Sequence, residues 1–192
     1  MVAGEDRHVK GKKSVTATFA AVFAALYAVG VLVLAPVSFS VYQVRIADAL
    51  LPLAILFGWP AIIGLALGAI VANAFGGLGP IDMIAGSVAN LVACYVAWRV
   101  ALNRRKLWAF VAVGLQVLIV TLVVGTYLSY LFAMPLETGL LGVMLGSIVA
   151  IGFLGSLLLH ATSSQRLVML LTGHGIHVYT WQVDRRKRAN ME

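Results

Sequence analysis

The chain has 192 residues, 61% of them hydrophobic and 11% charged, with a formal net charge of +7 and a mean hydropathy of +0.98. A soluble domain carries roughly 25% charged residues, so the composition excludes a soluble globular protein; disorder is excluded too, because it needs low hydrophobicity. What remains is a small integral membrane protein, with no room for a folded extramembrane enzyme beside its membrane helices.

The basic residues are not spread over a face, as nucleic-acid binding would require. They form three clusters: Lys10, Lys12 and Lys13; Arg99 with Arg104, Arg105 and Lys106; and Arg166 with Arg185, Arg186, Lys187 and Arg188. Such clusters mark the cytoplasmic ends of membrane spans and also meet anionic lipid. The single cysteine, Cys94, lies in an apolar run and can form no internal disulfide.

In chain order, residues 1–13 read as a basic cytoplasmic tail and 14–36 as a first span. This stretch exceeds the ~7–15 residues of a signal-peptide apolar region and lacks a clear cleavage site, so it is expected to be retained. It carries Ala17, Ala21 and Ala25 at spacing four, and beside them Ala20, Ala24 and Ala28. Such smooth stripes let another helix approach closely, either within the bundle or from a partner subunit. Gly64, Gly68 and Ala72, and later Gly142 and Gly146, repeat the device.

The charge-free stretch 49–81 decides the topology. As one helix it would be roughly 50 Å long, and it contains Gly58-Trp59-Pro60, where proline removes a hydrogen bond. One span here would also set the 99–106 cluster opposite the basic N-terminus, against the positive-inside rule. Two shorter helices, about 47–58 and 60–76, put every basic cluster on one side. Further spans follow at about 82–102, 107–131 and 138–162, ahead of a basic cytoplasmic tail over 163–192. The expected architecture is an all-α bundle of six transmembrane helices with both termini cytoplasmic, in the cell membrane. Trp59, Trp98 and Trp108 then fall near the inner interface, where an aromatic belt is expected.

Ionisable groups at membrane depth are functional candidates. Arg45 and Asp48, three apart, read as an ion pair anchoring the first external loop or as part of a lid over an external pocket. Asp82 and Glu137 open helices after Gly-Pro and Pro-Leu; each reads as a helix-end carboxylate or as a group that meets a donor-rich or cationic ligand. Asn73, Asn90 and Gln116 lie within or at the ends of spans and suit interhelical hydrogen bonds or a ligand. Tyr127 and Tyr130 are belt residues or a stacking surface. Together, Asn73, Asp82, Asn90, Tyr127, Tyr130 and Glu137 form an expected outward-facing cluster. His174 and His177 lack a third metal ligand nearby, and no metal site or cofactor is expected. No P-loop or catalytic motif is present, so an enzyme is not expected and active transport would draw its energy from a partner or an ion gradient.

The run VRIADALLPLAILFGWPAIIGLALGAIVANAFGGLGPIDMIAGSVANLVA is similar to the QueT family, substrate-binding S components of energy-coupling factor (ECF) transporters. The matching features are Arg45 through Leu53, the Gly64, Gly68 and Val71-Ala72-Asn73 pattern, and Gly76-Gly77-Leu78-Gly79-Pro80 leading to Asp82, Gly86, Ser87 and Leu91. The resemblance implies a six-helix S component that captures a queuosine precursor from outside and works with a transmembrane coupling subunit and two ATPase subunits. It implies that one alanine stripe of the first helix contacts the coupling subunit, and that about 37–48, with Arg45 and Asp48, gates an external pocket. A 7-deazaguanine base has a donor pair that Glu137 or Asp82 could accept, a carbonyl suited to Asn90 or Gln116, and a ring for Tyr127 or Tyr130. The other readings are an S component for another vitamin or nucleobase, and a solitary proton-coupled permease. The tail beyond 163 lies outside the matching pattern.

Overall fold

The structure, a computed structural model, describes residues 3–38, 44–102, 106–173 and 176–179, with 3–13 and 37 described by their backbone alone. Of the residues singled out above, His174, Arg104, Arg105 and the basic run 185–188 lie outside it, as do 39–43 of the expected gate.

Helix α1 spans Ala3–Val33 and is followed by a single turn at Ala35–Ser38. Helix α2 is short: Ile46–Leu53 is 3-10 and Ala54–Phe57 is α-helical. Helices α3 (Trp59–Gly76), α4 (Pro80–Ala101) and α5 (Lys106–Leu131) are continuous. Helix α6 runs from Leu136 to Thr162 with a π-helical stretch at Ile148–Gly155, and α7 is Gln165–Gly173. Among the described residues there is no strand. Among the described residues, five helices are long and apolar enough to cross a membrane: Ser14–Val33, Trp59–Gly76, Pro80–Ala101, Lys106–Leu131 and Leu136–Thr162. The remaining expected span, 47–58, is the shorter apolar helix Ile46–Phe57.

Large apolar side chains stand exposed along every long helix, among them Val33, Phe75, Ile84, Phe110 and Phe153. In water that surface would aggregate; against lipid it is the outer face. The interior is made by small residues. A Cβ on Gly64 would strike the Ala20 carbonyl and one on Gly68 would lie 2.7 Å from the Ala24 carbonyl, so α1 and α3 touch backbone to backbone. Likewise a Cβ on Gly125 of α5 would lie 3.0 Å from the Leu140 Cα of α6. The Ala20–Ala24–Ala28 stripe is therefore consumed by packing inside the bundle, whereas Ala17, Ala21 and Ala25 remain exposed.

Helix α2 lies inside the bundle, packed on α1, α4 and the π-helical stretch of α6. Leu51, Ala54 and Leu56 are fully buried. Pro52 sits within it, its ring so close to α6 that a Cβ on Gly155 would lie 2.7 Å from Pro52 Cγ. The helix stops at Gly58, whose φ of 62° suits glycine.

That stop leaves a backbone group to be satisfied. In a continuing helix the Leu56 carbonyl would accept from residue 60, but Pro60 has no N–H. Instead, the Tyr179 N–H from the C-terminal tail donates to the Leu56 carbonyl at 2.8 Å. The missing side chain at Gly58 admits the Tyr179 ring, which meets Trp98 edge-on at 5.6 Å, and Val178 is buried beside it. Tyr179→Pro removes this donor and is expected to lower stability by about 1 kcal/mol, read as a lower thermal unfolding midpoint and earlier proteolysis of the tail. Tyr179→Phe keeps the N–H and the ring and should match the wild type.

Candidate functional site

Opposite the basic clusters, five elements bring polar side chains to one buried place. The loop between α3 and α4 sets the geometry. Gly77 at φ 76° and Gly79 at φ 86° turn the chain in conformations that favour glycine, and Pro80 starts α4. The tight return lets Asn73, at the end of α3, donate from Nδ2 to the Asp82 backbone carbonyl at 2.8 Å. One turn further along α4, Gly86 makes room, since a Cβ there would lie 2.6 Å from Asn73 Nδ2 and 3.4 Å from the Tyr127 hydroxyl.

Asp82 is 0% exposed. Its Oδ2 has no hydrogen-bond partner and so does not cap α4. Instead, Oδ1 accepts the Tyr127 hydroxyl of α5 at 2.6 Å. A second pair of the same kind lies beside it, where Tyr27 of α1 donates to Asp48 Oδ1 at 2.6 Å. Arg45, 5% exposed, lies within electrostatic reach of both pairs. Burial works against its charge, but Tyr27, Asp48, Tyr127 and Asp82 leave the guanidinium harder to deprotonate than usual. Asn90 completes the group close to the Tyr27 phenol.

Among the polar atoms of this cluster that are buried without a hydrogen-bond partner are Asp82 Oδ2, Asn73 Oδ1 and Asn90 Nδ2. Each such atom costs about 1–3 kcal/mol relative to a satisfied one. Of these three, two are acceptors and one is a donor.

The expected residues thus separate into groups. Asn73, Asp82, Asn90 and Tyr127 are brought together with Arg45 and Asp48. Gln116 occupies another layer, donating from Nε2 to the Leu51 carbonyl at 3.0 Å, with the Cys94 thiol 3.7 Å from the same oxygen. Tyr130 is 79% exposed, and Glu137, in the first turn of α6, is exposed as well; neither joins the cluster. Tyr27, which the motifs above leave unmarked, is also a member of the cluster. The signal for it was available, as a buried phenol needs a partner for its hydroxyl and α1 offers no other polar side chain at that depth.

The sequence profile of the QueT transporter family matches residues 17–164. The chain belongs to the QueT transporter family. Comparison with curated proteins and with solved structures finds no match. The QueT match takes in every helix from the exposed part of α1 to the end of α6, and with the apolar outer surface it makes this chain a multi-pass membrane protein with a role in transport. Helix α7 and the docked Tyr179 lie outside the matched segment.

The Tyr127–Asp82 pair can be tested on its own. Tyr127→Phe leaves a carboxylate oxygen buried and unpartnered, and is expected to lower stability by about 1–3 kcal/mol in a reversible detergent unfolding titration. The same change at Tyr130 should leave the unfolding curve in place.

Proposed function

We propose that this chain is the substrate-capturing S component of an ECF-type transporter, binding a 7-deazaguanine precursor of queuosine or archaeosine from the external side. Both termini are then cytoplasmic, with α2 as the sixth, short element of the membrane bundle. The observation that carries the reading is the orphan set Asp82 Oδ2, Asn73 Oδ1 and Asn90 Nδ2. A 7-deazaguanine presents N1–H and an exocyclic amine as donors, and a ring carbonyl as acceptor. Asp82 Oδ2 and Asn73 Oδ1 can accept from those donors, and Asn90 Nδ2 can donate to that carbonyl. A buried carboxylate that accepts two donors at once gives a strong, geometrically specific contact.

In this scheme Asp82 and Asn73 take the donor edge, Asn90 takes the carbonyl, and Tyr127 holds Asp82 in place and offers a ring face. Arg45 and Asp48 line the inner lip of the gate. Gln116 supports α2 from below. Glu137 and Tyr130 stand outside the contact set. The exposed stripe Ala17, Ala21 and Ala25 is the surface left for the transmembrane coupling subunit, since its neighbour is occupied by α3. The two ATPase subunits provide the energy, as this chain carries no nucleotide-binding motif.

Calorimetric titration of the purified protein with 7-deazaguanine precursors, guanine and common vitamins tests the proposal. Tight binding of one deazaguanine with exclusion of guanine is the expected result. Asp82→Ala should then weaken binding by at least about 2 kcal/mol, roughly thirtyfold in Kd, while Glu137→Ala leaves it unchanged. The reverse pattern would move the site to the turn between α5 and α6. Binding of a vitamin alone would keep the S-component reading and change the substrate. Co-purification without any ATPase subunit, together with proton-dependent uptake lost in Asp82→Asn, would favour a solitary permease instead.

A further inference from the structure

Two features at the basic end are used neither by the polar cluster nor by the transport reading. The first is a groove of about 210 Å3 between α5 and α6. Its walls are Ala109, Phe110, Val113 and Leu159, and at its mouth stand Lys106 and His160. Lys106 is the first residue of α5 and His160 lies in the last turns of α6, so the groove has a cationic end and an apolar length. Arg104 and Arg105 directly precede Lys106 in the sequence.

The second feature is α7, which leaves the end of α6 after Ser163 and Ser164. Its Val168 is buried against the bundle, while Leu167 and Met169 are exposed and Arg166 stands exposed beside them. Apolar side chains and cations therefore share one level, where the long spans end. An amphipathic helix of this kind lies in the plane of the interface, its apolar residues in the acyl boundary and its cations among headgroups.

The geometry points to a seat for one anionic phospholipid: an acyl chain in the α5–α6 groove, its phosphate between Lys106 and His160, and α7 resting on the same leaflet. Charge complementarity selects the occupant. A lipid of no net charge leaves the Lys106 charge at the mouth unneutralised, and a free phosphate leaves the apolar walls uncovered. The inference does not depend on the transported substrate or on the energising partner.

Native mass spectrometry of the full-length protein, titrated with phosphatidylglycerol or phosphatidylcholine of identical chains, provides the test. The expected result is retention of phosphatidylglycerol at concentrations where phosphatidylcholine is lost. Lys106→Gln should lower its occupancy about fivefold, and Lys106→Gln with His160→Gln should bring it down to the phosphatidylcholine level. Val113→Trp, which fills the groove, should lower both lipids. Lys106 and His160 are exposed, so their replacement leaves the fold in place, as circular dichroism would verify. Equal retention of the two lipids, or retention unaffected by the Gln variants and by Val113→Trp, would overturn the proposal. Displacement of phosphatidylglycerol by inorganic phosphate alone would overturn it too, since the site would then be a phosphate site with an idle groove.

Discussion

Every backbone polar group inside a bilayer has to find a partner within the protein, because no water is there to serve. Helix α2 is where this constraint bears hardest. It is short, changes from 3-10 to α geometry, contains Pro52 and ends at Gly58. A segment so interrupted could not face lipid. It is enclosed instead, with α1, α4 and the π-helical part of α6 around it, and the surrounding side chains are chosen to fit. Gly155 makes way for the Pro52 ring and Gly30 for Ala47. Gln116 reaches from α5 to the Leu51 carbonyl, which gives its Nε2 a partner, while its Oε1 stays buried without a hydrogen bond.

The placement of α2 in turn organises the opposite end of the molecule. Its first turn carries Asp48 inward to Tyr27, next to the Asp82–Tyr127 pair. If these side chains served stability alone, apolar residues of similar volume would do as well or better. The asymmetry within the cluster matters more than its polarity. One oxygen of Asp82 is satisfied while the other is not, and the amides of Asn73 and Asn90 each keep a buried atom without a partner. Single orphan atoms also occur elsewhere, at Gln116 Oε1, Trp98 Nε1 and Thr121 Oγ1, but here they gather round two buried carboxylates, and the proposed binding role draws on that grouping.

Much of this was legible in the sequence, and the remainder was hidden for identifiable reasons. Charge-free runs and the Gly58-Trp59-Pro60 break gave helix limits that agree with the structure to within two residues from α2 onward. Rotation about each helix axis was not legible. Helices α3 to α6 are apolar on all sides, so no polar face marks which way they turn. Tyr127 and Tyr130 are separated by a single turn, yet the first is buried and the second is 79% exposed; Glu137 likewise ended up outside. The two alanine stripes of α1 are equivalent as patterns. Only the carbonyl contacts of Gly64 and Gly68 show that the Ala20–Ala24 edge is occupied. The 3-10 and π-helical stretches leave no periodic signature, because an unbroken apolar run has no period to shift.

The C-terminal segment lies outside the family match yet makes contact with the helices inside it. The family match stops at residue 164, and the helix break it contains leaves the Leu56 carbonyl without its usual donor. The donor comes from Tyr179, beyond the match. Its bond replaces one to water, and the net gain from such an exchange is modest. What favours docking beyond that is the apolar burial of Val178 and the contact of Tyr179 with Trp98, in a gap that exists because residue 58 has no side chain. The tail is thus held by a few weak contacts at one end of α2, while the polar cluster is held by strong, buried ones at the other.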